Sequence, residues 1–427
     1  MYSAIICSGH IQNPQSCTSH ISVTSACDAQ KSIEINTNEN FFKCILELEI
    51  GTNVLIFQYC SSSINVTIDY KPRETSFTVV PLYIICEGHD GRFQAPSTEP
   101  NLPKNACKRI TTACKLLQSV FGHKFGKVGL EKRSFVLDSE CLIWYSKLNV
   151  EKALNMTQTE LWYHFAREIM SSNIASSNKK YLAFLSCTVY HGDEYYDGIS
   201  YKDMLNLMRG YVAYGGDGLA LLSTGCLYTW PETLNDMYSR FGNCTLVNKA
   251  KFMDDSNSRG TWGGCFITSL GAVLHELCHT FDLGHSDAGI MGPNFGHLDD
   301  IFMASGEEQE FSDYRCTDVS KVTTDYTGWS KSSMFIIYYH KWFHNVVGRK
   351  SSLISYDNST NVIKSIAGIR VIEIRRKDDE MVLKGWVFGG KVLKFSFHIA
   401  DNLTDFDGNI ILFAEDGCGN ILKQQLK

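Results

Sequence analysis

The 427 residues carry 40 Lys and Arg against 46 Asp and Glu, a net charge of −6 with no basic block, which excludes a protein that finds nucleic acid or an anionic membrane by charge. With 44% hydrophobic and 20% charged residues the composition is that of a globular chain. No apolar run approaches the roughly 18 residues of a membrane-spanning helix, and the length implies two to three domains.

Residues 1–15 show no pattern. MYSAIICSGHIQNPQSC has no basic region followed by an apolar core, so it does not read as a signal peptide, and a cytoplasmic location is expected. On that reading the 16 cysteines are mostly thiols. Cys44, Cys86, Cys187 and Cys278 fall in apolar periodic segments, where a thiol packs as a small hydrophobe. Residues 16–74 are expected to form a small β-sandwich. ISVTSA, SIEIN, FFKCILELEI, NVLIFQYC and INVTIDY alternate apolar and polar residues, with turn formers such as Gly51-Thr52-Asn53 between them.

A second domain is expected over 75–347. TSFTVVPLYIIC is its first strand, and Asn105 to Phe121 has helical spacing. Arg133 to Leu137 opens a strand, TQTELWYHFAREIM is an amphipathic helix, and Lys180 to His191 is a long apolar strand. This alternation predicts a layered α/β core. Gly-flanked LALL suggests a strand bordering a cleft at about Gly218 to Leu222. Gly263 to Phe281 is apolar nearly all round and predicts a buried helix. Ser332 to His344 reads as a closing helix, and residues 348–427 as a small all-β domain.

Chemistry concentrates in LHELCHTFDLGHSDAGIM. His275 and His279 stand one helical turn apart on one face, so both can reach a single ion. Zinc takes imidazole nitrogen readily, and catalytic zinc sites use three protein ligands. His285 is the third candidate if the chain turns back after Phe281, and Asp282 and Gly284 are turn formers there. Glu276, beside the first ligand, is placed to act as general base. A carboxylate third ligand, Glu307 or Glu308, is the alternative.

The segment resembles the metzincin clan of zinc peptidases, whose signature is HExxHxxGxxH followed by a Met-turn. One position departs: the clan's helix-ending glycine is Asp282 here. The order of VPLYIICEGHDGRF, GGDGLALL, LHELCHTFDLGHSDAGIM and YHKWF also resembles a eukaryotic, fungal-type family of zinc metallopeptidases. The resemblance implies a multidomain α+β and α/β chain. Its metzincin-like catalytic domain would have a mixed sheet, a central active-site helix and a Met-turn at Met291, flanked by small all-β domains. It implies one zinc per chain, held by His275, His279 and His285, with Glu276 as general base. Met291 would be a hydrophobic base beneath the metal and an edge strand would pair with substrate. The expected function is a zinc metalloendopeptidase acting on a peptide or protein, with no nucleic-acid or membrane partner. The alternative is a catalytically weak metal-bearing binding module that uses its β domains for recognition.

Overall fold

The computed structural model describes residues 2–12, 20–26, 28–38, 40–303, 328–344, 354–389, 394–399 and 409–426. They divide into two compact units. The first holds the described residues of Met1–Tyr214, Gly218–Leu274 and Gly296–Arg315, the second those of Gly215–Asp217, His275–Phe295 and Cys316–Lys427.

In the first unit, Ala4–His10 pairs with Phe41–Glu47. His20–Ser25 lies between Asp28–Asn36 and Gly51–Tyr59, with Ser62–Tyr70 at the edge, all antiparallel. Period-2 alternation sends Asn53, Leu55 and Phe57 inward. Ile21, Val23, Ile35, Leu46, Leu55 and Phe57 form one core shared by the two sheets.

A mixed sheet follows. Thr78–Glu87 is buried at every residue but the last, as a strand covered on both faces must be. It runs parallel to Lys179–Leu185, Val136–Leu137 and Leu142–Asn149, and Leu219–Ser223 runs parallel to Lys179–Leu185 on the other side. Parallel neighbours need crossovers. The helices Pro103–Lys127 and Gln158–Met170 lie between these strands in the chain. Pro103 opens the first, where a missing N–H does no harm. Thr157 and Glu160 close a reciprocal capping box on the second, which buries Leu161, Trp162, Phe165 and Ile169.

The strand expected to border the cleft is misassigned. Leu219–Ser223 is interior, with Leu219, Ala220, Leu221 and Leu222 all buried. The outermost strand is Ala213–Gly216, joined to it through Asp217 and Gly218. Asp217 takes a positive φ of 45° in that turn. The run of apolar residues marks burial, and a two-residue turn is enough to place a glycine-rich partner outside it.

In the second unit the long strand Val362–Arg376 is a spine. Ser355–Asp357, Lys394–His398 and Val382–Val387 pair with it, as does Ile410–Asp416, which in turn pairs with Ile421–Leu426. Ile363, Ile369, Ile372, Ile374, Leu412 and Ala414 form its apolar core. The opposite face carries Val371, Glu373, Arg375, Phe413 and Glu415, and it too is dry, each residue being 0% exposed. A free-standing sheet would give that face to water. Here it is covered, and the helix Lys331–Tyr339 is among the elements packed on the spine strand.

Twelve described cysteines are free thiols, whereas Cys60 is disulfide-bonded. Among the described residues no helix is long and apolar enough to cross a membrane.

Candidate active site

The helix Trp262–Thr280 is apolar throughout its core-facing positions and carries His275, Glu276 and His279 in its last turns. It ends in an αL C-cap. Asp282 N–H donates to His279 O at 3.1 Å and Leu283 N–H to Cys278 O at 3.3 Å, with Asp282 at φ 66°. These are the paired bonds of a Schellman motif, whose left-handed residue is normally glycine. The turn also serves the site: the Leu283 carbonyl it presents accepts from His279 Nδ1 at 2.9 Å.

The three imidazoles converge. His279 Nε2 lies 3.1 Å from His275 Nε2 and 3.1 Å from His285 Nε2. Each ring turns its other nitrogen to a backbone carbonyl: His275 Nδ1 to Ile290 O at 2.7 Å, His279 Nδ1 to Leu283 O, and His285 Nδ1 to Asp379 O at 2.5 Å. A carbonyl only accepts, so each Nδ1 carries a proton, and in the neutral form of a ring so held Nε2 presents a bare lone pair. Burial favours the neutral rings, pushing His275 down to about 4 and His279 down to about 3, the latter helped by the two neighbouring imidazoles. Three lone pairs aimed at one point repel unless a cation sits there. Two nitrogens each about 2.1 Å from one tetrahedral zinc stand about 3.4 Å apart, close to the spacing found. The donor set therefore fits zinc, and the Ile290, Leu283 and Asp379 carbonyls that accept from the Nδ1–H groups are the outer-shell partners such a site requires.

Glu276, next to His275 in the chain, is half-buried. Its carboxylate accepts the Gly215 backbone N–H, which opposes the effect of burial; burial wins and pushes the carboxyl up to about 7. Gly215 comes so close that a Cβ there would sit 1.9 Å from the Glu276 carbonyl oxygen. Met291 is wholly buried in a tight turn. Gly292 N–H donates to Gly289 O, Ser286 N–H donates to Met291 O, and the same turn presents the Ile290 carbonyl to His275. Gly289 needs its φ of 78° and its lack of a Cβ, which would lie 2.3 Å from Gly328 O. Cys278 is 0% exposed, a core residue as expected, and His297 is exposed. Glu307 and Glu308 lie outside the described residues. Among the described residues the one group that could hold a metal is His275, His279 and His285.

Sequence reasoning missed two contributors. Gly215 was legible only as part of a glycine-rich strand, and nothing local ties Asp379 to a histidine 94 positions away. The Asp282 carboxylate meets Lys423 Nζ at 2.9 Å and lies 3.5 Å from His340 Nε2. Left-handed strain of about 1 kcal/mol is thus set against the partly exposed Lys423 ion pair, of similar size. Asp282→Gly is expected to stay within about 1 kcal/mol of wild type by thermal melt and to keep zinc. Asp282→Val, β-branched at positive φ, is expected to disrupt the turn and weaken zinc binding although it touches no ligand atom. Unchanged zinc affinity in Asp282→Val would show that the turn does not place the imidazoles.

Three converging imidazole nitrogens and a half-buried carboxyl, at and just past the end of one helix, define a candidate metal-dependent hydrolase centre. Residues 1–371 match the family described as "Putative peptidase family", and the chain belongs to it. It is similar to a protein of Saccharomyces cerevisiae named a putative zinc metalloproteinase, at 23% identity over 62% of this chain and 42% of the relative. It is also similar to a protein of Schizosaccharomyces pombe so named, at 22% identity over 71% of this chain and 51% of the relative. The chain thus spans about half the length of the curated relatives it matches. No solved structure matches it significantly.

Proposed function

We propose that the chain is a zinc-dependent metalloendopeptidase with a metzincin-like catalytic domain. The observation that carries this reading is the convergence of three Nε2 atoms whose rings are each locked by a Nδ1–carbonyl bond, next to a half-buried glutamate. His275, His279 and His285 would hold one zinc. When bound, zinc supplies a Lewis acid that polarises a scissile carbonyl and acidifies the attacking water. Glu276 accepts the proton of that water and delivers it to the leaving amine. The Gly215 N–H keeps the Glu276 carboxylate aimed while its surroundings stay dry. Met291 packs the floor of the site. An extended peptide adds to the open edge of Ala213–Gly216, main chain to main chain, as edge strands commonly accept partners. The substrate is accordingly a peptide or protein. The free thiols fit a reducing, cytoplasmic setting, with Cys60 the exception.

The test is a peptide library profiled with zinc-loaded wild type and with its Glu276→Gln form. Cleavage by the first and not the second supports the reading. No turnover of any peptide by fully loaded wild type favours the binding module instead.

The same assay reads the strand against the helix. Gly215→Val is expected to force Ala213–Gly216 away from Glu276, since its Cβ meets backbone and not a flexible side chain. Misplacement of about 1 Å at a reacting group can cost on the order of a hundredfold in rate. We expect kcat/KM to fall by about that factor with zinc content intact. Wild-type kcat/KM in Gly215→Val would remove the strand from the catalytic arrangement.

A further inference from the structure

The C-terminal sheet belongs to the same compact unit as the three imidazoles, and its link to them is specific. The hairpin between Val362–Arg376 and Val382–Val387 closes with Arg376 N–H donating to Met381 O at 2.8 Å and Met381 N–H to Asp379 Oδ1 at 3.0 Å. Glu380 takes a positive φ of 52° in that turn. Residues 379–382 grip His285 at three points. His285 N–H donates to Glu380 O at 3.1 Å, Val382 N–H donates to His285 O at 2.9 Å, and His285 Nδ1 donates to Asp379 O. His285 is therefore held as an added strand residue, bridged to Met381. Gly284 lets this happen: a Cβ there would lie 2.5 Å from Glu380 O and 3.0 Å from Arg375 Cδ and Nε.

Arg375 joins this grip to the end of the active-site helix. Its guanidinium is wholly buried and uses every face of the fork. Nη1 donates to the Glu380 carboxylate at 2.9 Å, Nη2 to the Asp282 carbonyl at 2.8 Å, and Nε to Glu373 at 2.8 Å, while the group lies 4.1 Å from the Phe413 ring centroid. Asp282 ends the helix that bears His275 and His279, and Glu380 holds His285. The spacing between two helix-borne imidazoles and one loop-borne imidazole is thus set through one rigid, planar side chain.

We infer that Arg375 is a positioning residue for the metal centre, acting through Glu380 and the 376–381 turn on His285, and that the C-terminal sheet is part of the catalytic apparatus and not an appended recognition module. This rests on the zinc-site reading above. The sequence hides it because the polar side of an amphipathic strand ordinarily faces water.

The test uses the full chain. Zinc affinity is measured by chelator competition, the geometry of the site by the visible spectrum of the cobalt-substituted protein, and folding by the melt of the metal-free form. Arg375→Lys keeps the charge and loses the fork. It is expected to weaken zinc by about 10- to 100-fold, as loss of an outer-shell partner does, and to alter the cobalt spectrum. Glu380→Ala, at a side chain 41% exposed, is a second variant that leaves the buried Glu373–Arg375 pair intact, with an expected loss of about tenfold. Because the effect runs through His285, Arg375→Lys added to His285→Ala should weaken zinc no further than His285→Ala alone. Wild-type affinity and cobalt spectrum in folded Glu380→Ala and Arg375→Lys, or a full additive loss in the double variant, overturn the inference while wild type still binds zinc. A wild-type chain that takes up no zinc overturns the reading of the site itself, and this inference with it.

Discussion

Glu276→Gln is expected to abolish peptide hydrolysis while leaving zinc content and melting temperature unchanged. The residue is half-buried, and its carboxylate accepts the Gly215 N–H. A glutamine has the same shape, and its amide oxygen can accept that N–H, so the fold loses little. What disappears is the capacity to take a proton from water and return it to the departing nitrogen. Positioned general acid–base catalysis is worth about 10²- to 10⁴-fold. Here one group does both transfers, so a loss near the upper end of that range is expected in kcat. Steady-state kinetics on a peptide found by the library, with metal content measured on the same samples, decides it. Equal turnover in the two proteins would strike Glu276 from the mechanism.

His275→Ala, His279→Ala and His285→Ala are each expected to reduce zinc affinity by on the order of a hundredfold or more. Apparent binding energies of about 10–16 kcal/mol at four-ligand zinc sites leave about 3 kcal/mol for each ligand. His279 is central, 3.1 Å from both other nitrogens, and its removal should be the most damaging of the three. Removing His285 also empties the grip of residues 379–382, so that variant should loosen the hairpin as well as the metal. Competition with a chromogenic chelator gives the affinities, and hydrogen exchange at Met381 and Val382 reports the hairpin. If His285→Ala keeps full zinc affinity while Glu307→Ala or Glu308→Ala loses it, the third ligand is a carboxylate.

Much of this site was written locally. Residues i and i+4 on a helix share a face whatever surrounds them, so His275 and His279 follow from spacing alone. Asp282 stands where the resembled clan has its helix-ending glycine, and it takes the left-handed backbone that such a residue needs, at φ 66°. The buried helix was legible in its all-round apolar sequence, and so were the strand Thr78–Glu87 and the amphipathic helix Gln158–Met170. These features depend on neighbours a few positions away, which a sequence displays.

What the tertiary structure alone decided lies at long range. Which glycine-rich segment is the outer strand depended on pairing partners, and apolar LALL proved to be inside. That Gly215 touches the backbone of Glu276 depended on where that strand was laid down. That the carbonyl of Asp379 orients His285, and that Arg375 bonds Asp282, depended on a C-terminal sheet burying a face that carries Glu373, Arg375 and Glu415, residue types that ordinarily face water. Periodicity reports which side of a strand is polar; whether that side meets water or a matched set of charges is settled only when distant segments come together.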